Sequence, residues 1–294
     1  MHAPLDAARA LDGFGQASLD VEFLDPVGRE GRLERIRTGR ADLALMELAS
    51  FVDAVAEDRS FGGRCVLVLA RHIPMAALFV NDRPAGGAPI RKPPDLLRAR
   101  YGGPEPSTFV AEHRALIARL GGERPGSHVD LPYDALPSAL RDGVIDVVPD
   151  YAALAERYRR AVGDAGDIGI VRYRDCGVDG YGVGFVASEA ALRDRGGEIA
   201  RFLEVASHFY RRMHRDRRSI IEDASRSAPA GDPILAAREW MDEWERSIFG
   251  HGLDLGPGDG QGWSETAVWR REVRGHGRCP DAHELFARLD TTSV

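Results

Sequence analysis

Residues 36–50, IRTGRADLALMELAS, and residues 140–154, LRDGVIDVVPDYAAL, decide how this chain is read. They superpose at an offset of 104 residues, which places Gly39 on Gly143, Asp42 on Asp146 and Ala49 on Ala153. Each copy is a helical pattern stopped by glycine, two further residues, an aspartate, a short apolar strand and a polar residue that opens another helix. Glycine stops helices because it takes up left-handed backbone without steric cost. A single match of this kind therefore also arises between unrelated helix-strand units. Here both copies follow comparable β-α segments, and that points to two similar lobes.

Working outward from the first copy, LDVEFL (residues 19–24) alternates apolar and polar side chains as a half-buried strand does, and a turn region at Pro26–Gly28 ends it. A helix is expected from residue 29 to the Gly39 stop, then a strand at Ala41–Met46 and a helix at Glu47–Asp58. Apolar strands follow at Cys65–Ala70 and Ala76–Val80. This β-α-β-α-β order is the pattern of an open α/β sheet. Residues 81–106 interrupt it with a proline-dense connector holding a short helix at Pro94–Arg98 and a strand near Arg100–Gly102.

Around the second copy the alternation restarts. A helix is expected at Ser107–Leu120, with Ser107 or Thr108 as its N-cap and Gly121–Gly122 as its stop. Next come a strand at His128–Leu131, a helix at Leu136–Arg141, a strand at Val144–Val148, a helix at Tyr151–Arg160 and a strand at Ile168–Arg172. YGVGFVASEAAL (181–192) reads as an apolar strand running into a helix, and residues 197–213 form the clearest amphipathic helix. Helices at Asp232–Ile248 and Asp281–Leu289 flank HGLDLGPGDGQGW, which reads as a surface loop because no phosphate-cradling glycine motif follows a strand there.

Composition narrows the function classes. The chain has 294 residues, enough for one large domain or two lobes, and its 44% hydrophobic and 29% charged residues are ordinary globular values. A net charge of −7, with arginines interleaved among carboxylates, lacks the basic field a nucleic-acid surface needs. The cluster at 211–218 reads as the solvated end of a helix. Cys65, Cys176 and Cys279 are odd in number and far apart, so neither a disulfide framework nor a metal site is expected. No window reaches the ~18 apolar residues of a membrane span, and no secretory leader is visible. The expected location is cytoplasmic as written, or extracytoplasmic if the true start lies upstream.

The segments RIRTGRADLAL, ALRDGVIDVVPDYAAL, EPSTFVAEHRALIARLGG and YGVGFVASEAALRDRGGEIARFLEVASHFY, in this order and spacing, resemble the type II periplasmic binding proteins. Within that fold they are similar to the group containing aliphatic-sulfonate and thiamine-pyrimidine binding proteins. The resemblance covers residues 2 to about 215. It implies a two-lobed α/β fold, each lobe an open mixed sheet flanked by helices, joined by crossover strands at Ala76–Val80 and Tyr181–Ala187. Lobe 1 is expected at 1–80 plus 186–294 and lobe 2 at 81–185. Members of the family usually begin with an apolar strand ahead of HAPLDAARALDGF, a strand that sits inside the first-lobe sheet; here Met1 stands where it should end.

The resemblance also implies a small organic molecule held between the lobes, with no cofactor and no metal, and an ABC permease as partner. Open sheets bind ligands at the carboxyl ends of their strands, where helix N-termini present free N–H groups. Those ends are Met46–Glu47, Ser107–Thr108 and Asp150–Tyr151. Glu47 could hold an amine or serve only as a first-turn carboxylate, and Asp150 has the same two readings. Ser107 and Thr108 suit an anion or carbonyl, or a cap without ligand. Phe109, Tyr151 and Tyr181 could stack on a flat ligand or lie in the core. His2 and His72 are the histidines nearest the expected cleft, and Cys176 is the better placed thiol. Non-catalytic binding is favoured. The alternative is an enzyme on the same scaffold, resembling pyrimidine synthases, desulfinases or dehydratases.

Overall fold

The computed structural model describes residues 3–25, 27–105, 107–122, 126–225 and 255–289. The chain forms two compact units: unit 1 takes the described residues of Met1–Arg71, Gly180–Arg270 and Gly277–Val294, and unit 2 those of His72–Asp179 and Arg271–His276.

Unit 1 opens with helices α1 (Ala3–Ala10), α2 (Gly13–Gln16) and α3 (Arg29–Arg37), then strand β1 (Leu43–Glu47), helix α4 (Leu48–Glu57) and strand β2 (Gly63–Ala70). Unit 2 follows with β3 (Met75–Val80), a small hairpin of β4 (Pro84–Ala85) and β5 (Ala88–Pro89), a 3-10 turn at Pro93–Arg98 and β6 (Tyr101–Gly103). It continues with α5 (Thr108–Arg119), β7 (His128–Asp130), α6 (Leu136–Arg141), β8 (Val147–Tyr151), α7 (Ala155–Val162) and β9 (Ile168–Arg172). The chain returns to unit 1 with β10 (Val183–Ser188), α8 (Glu189–Arg215), α9 (Arg217–Ser225), α10 (Gly260–Arg274), whose residues from Arg271 on count with unit 2, and α11 (Ala282–Leu285).

The repeat holds residue for residue. Helices α3 and α6 end at Arg37 and Arg141, and strands β1 and β8 span 43–47 and 147–151, each pair 104 residues apart. Gly39 (φ +67°) and Gly143 (φ +71°) take the left-handed conformation that turns the chain from helix to strand. Asp42 and Asp146 each pair with an arginine, Arg195 and Arg100 respectively. Asp146 is buried and accepts from the backbone N–H and the guanidinium of Arg100.

In unit 1, β10 lies antiparallel between β1 and β2. Every residue of β10 is buried, as is all of β2 except Arg64, which explains their nearly continuous apolar sequences. Their core is closed by Phe51 of α4 and Trp263 of α10. In unit 2 the strand order is β7-β6-β8-β3-β9, with β6 parallel to β7 and β8, and β3 antiparallel to β8 and β9. The carboxyl ends of β6, β7, β8 and β9 therefore share one edge with the start of β3. Both strands expected to be crossovers lie inside a sheet, β3 between β8 and β9 in unit 2 and β10 between β1 and β2 in unit 1.

Several expectations are corrected. Residues 19–24 form no strand: Phe23 and Leu24 are 39% and 41% exposed, and Phe23 packs on the ring of Phe14 instead of pairing with a neighbouring strand. The strand expected at Val144–Val148 begins at Val147, because Val144 and Ile145 donate back to Ala139 in closing α6. The helix expected from Tyr151 begins as a 3-10 turn at Ala152–Leu154. The last expected helix shortens to Ala282–Leu285, since Phe286 and Ala287 turn extended to bond with Cys65 of β2. Helix α10 takes up the last four residues of the expected glycine-rich loop, Gly260–Trp263. The helix expected at 232–248 lies outside the described residues.

Candidate functional site

Unit 2 gathers its chemistry at the shared carboxyl edge. After β6, Ser107 caps α5 by accepting from the Val110 amide at 3.1 Å. The next two amides, of Thr108 and Phe109, have no acceptor among the described residues. These are the donors that a helix N-terminus offers to an anion or carbonyl, reinforced by the helix dipole. Ser107, Thr108 and Phe109 are all partly exposed. The Phe109 ring meets the Tyr151 ring edge-on, with centroids 5.1 Å apart. Two free amides and an aromatic pair thus stand side by side where β6 and β8 end.

Asp150 sits beneath them and is 0% exposed. Its Oδ1 accepts from the Tyr151 amide at 2.8 Å, and its Oδ2 accepts from the hydroxyls of Tyr133 (2.8 Å) and Tyr158 (2.7 Å). Burial pushes the Asp150 carboxyl up, against the lowering effect of these donors. Burial and the neighbouring carboxylate push the Tyr133 and Tyr158 phenols up as well, so both remain donors. The guanidinium of Arg157 lies 4.8 Å from the Tyr133 ring centroid and 5.8 Å from that of Tyr158. Tyr133, Tyr158 and Arg157 carry no motif; only the fold joins residues after β7 to the start of α7.

On the same edge His72 donates from Nδ1 to Asp179 at 2.8 Å, joining the first and last residues of unit 2's main segment. Cys176 follows β9, and burial and Asp175 push its thiol up, the opposite of an activated thiolate. Deeper in the unit, His113 is buried, shares a hydrogen bond between its Nδ1 and the Tyr173 hydroxyl (2.9 Å) and is held neutral down to about 3 by burial.

Unit 1 disposes of its expected site residues differently. Met46 lies in the core. Glu47 is the N-cap residue of α4 and accepts from Arg32 at 2.8 Å, while the first amide of α4, that of Leu48, donates to the Gly182 carbonyl. Tyr181 is buried, its ring against Trp263 and its hydroxyl accepting from the Asp259 amide at 2.8 Å. Cys65 is buried, which pushes its thiol up. His2 lies outside the described residues. Among the described residues no group of three or more His, Cys, Asp or Glu could hold a metal, and no helix is long and apolar enough to cross a membrane.

The structure thus brings Ser107, Thr108, Phe109, Asp150 and Tyr151 together. A family model described as NMT1/THI5 like matches residues 1–217. No curated protein matches the chain. Among solved structures, the periplasmic aliphatic sulphonate binding protein SsuA from Escherichia coli is 15% identical with a TM-score of 0.73, covering 99% of this chain and 91% of that one. The alkanesulfonate-binding protein SsuA from Xanthomonas axonopodis pv. citri, bound to MOPS, is 16% identical (TM-score 0.64; 95% and 91% covered). The ligand binding component of an ABC-type import system from Staphylococcus aureus is 13% identical (TM-score 0.65; 97% and 92% covered). At these identities the likeness is one of fold, and the fold is that of the periplasmic binding proteins.

Proposed function

Because the chain belongs to the NMT1/THI5-like family, we propose that it binds a small organic solute without transforming it, at the carboxyl edge of the unit 2 sheet. The observation that carries this reading is the pair of free amides at Thr108 and Phe109 beside the Phe109–Tyr151 rings. The amides take an anionic or carbonyl group and the rings take the body of the molecule. By analogy with the SsuA proteins, the protein works outside the cytoplasm and hands its solute to an ABC permease.

A thermal-shift screen of sulfonates, carboxylates, pyrimidines and amines tests this, with mass spectrometry of each recovered hit. Stabilising hits that return unchanged are expected; a hit converted to product overturns the non-catalytic reading in favour of the enzyme alternative. Thr108→Pro sharpens the result. Proline is tolerated at the first position of a helix, so the substitution keeps α5 while deleting one amide donor and one hydroxyl. It is expected to weaken anionic hits about tenfold, the ~1.4 kcal/mol of one charge-assisted hydrogen bond. Unchanged affinity would remove the helix N-terminus from the site.

A further inference from the structure

Asp150 stands at a strand end, where a ligand contact is expected, yet it is fully buried and its oxygens already accept three hydrogen bonds. Each bond ends on a different part of the edge. Tyr133 opens the turn after β7, Tyr151 closes β8, and Tyr158 lies in α7. One carboxylate therefore fixes the hydroxyls of two rings and the backbone of a third residue, whose ring packs on Phe109. Of the three tyrosines on Asp150, Tyr133 is the most open, at 36% exposed. Its hydroxyl is tethered and the Arg157 guanidinium lies over its ring, so it has lost the freedom an exposed tyrosine ordinarily keeps. A ring immobilised beforehand binds another ring without a further ordering cost.

We propose that Asp150 is a positioning residue that presents Tyr133 as a further aromatic surface beside Phe109 and Tyr151, and that the site thereby selects ligands with a flat conjugated ring over saturated ones. This rests on the small-molecule reading of the same edge and deepens it by naming the ligand class. Asp150 acts through the tyrosines and does not itself touch the ligand. Arg157 keeps the Tyr133 ring in place and supplies the positive charge that faces the buried carboxylate.

Benzoate and cyclohexanecarboxylate, matched in charge and close in size, test the proposal by calorimetric titration of the full chain. The native protein is expected to bind benzoate at least tenfold more tightly. Tyr133→Phe keeps the ring and removes its tether; it should reduce that preference about three- to fivefold, weakening benzoate more than cyclohexanecarboxylate. Asp150→Ala should abolish the preference, and Asp150→Asn, whose amide oxygen still accepts from a phenol, should restore part of it. A general loss of structure would weaken both ligands alike and would not alter their ratio. If the native protein binds both acids equally, or if Tyr133→Phe leaves the ratio intact, the positioning role is wrong while the binding reading stands. If neither acid binds, the aromatic selection is wrong, and the solute panel alone decides the binding reading.

Discussion

Lowering the pH from 6.5 toward 3 weakens the folded protein by about 1.4 kcal/mol per pH unit through His113 alone. The imidazole is buried on α5, and its Nδ1 shares a hydrogen bond with the Tyr173 hydroxyl. Burial lowers its pKa from 6.5 to about 3. Above pH 6.5 neither state carries the proton, and His113 makes no difference to stability. Below it the unfolded chain takes a proton that the folded chain refuses, so stability is lost as pH falls, by roughly 4–5 kcal/mol over the whole window. Asp150 works with the opposite sign. Its raised pKa gives a contribution present below the ordinary carboxylate value of 3.8 and lost as pH rises through the raised one. Comparison with His113→Gln cancels that term. Urea unfolding at pH 7 and pH 5 should show the native protein losing about 2 kcal/mol more than the variant; equal losses would show that His113 protonates freely in the folded state.

Arg270→Met should destabilise unit 1 by about 3–5 kcal/mol, the cost of leaving a buried charge without its partner. Arg270 Nη2 donates to Asp53 Oδ2 at 2.7 Å and its Nε to Oδ1 at 3.2 Å, with both side chains nearly inaccessible. Arg29 reaches the same carboxylate only at 3.5 Å from a more exposed position, too weak a substitute. The pair joins α4 to α10, so its loss loosens the helix that carries Trp263 into the core. Replacing both residues, Arg270→Met with Asp53→Leu, should recover most of the stability, because no charge is then stranded. A double variant no more stable than the single one would show that the pair is not what holds α10 in place.

Much of the fold was legible because its signals were local. The strands β2, β3 and β10 are nearly continuous apolar runs buried on both faces, and the Gly-x-x-Asp repeat marks the same helix-to-strand turn twice. The misreadings share a cause: pattern describes side chains, whereas a strand or helix end also depends on backbone partners. LDVEFL has a strand's alternation, but among the described residues no neighbouring strand bonds to it. Helix α10 was hidden because its opening glycines read as a loop. Gly262 is in fact required small there, since a Cβ would stand 2.4 Å from the Tyr181 ring. At the site, Ser107 announced itself by cap chemistry. The Asp150 network did not, because Tyr133 and Tyr158 reach the carboxylate from opposite sides of it in sequence and only the sheet order brings them there.

Backbone-amide NMR spectra of the full chain, recorded while the tightest hit of the small-molecule panel is titrated in, test the binding site most directly. The amides of Thr108, Phe109 and Tyr151 should shift first and saturate together with the calorimetric binding curve. Saturable shifts that leave these three untouched and appear on another surface would contradict the assignment of the site to the carboxyl edge of unit 2.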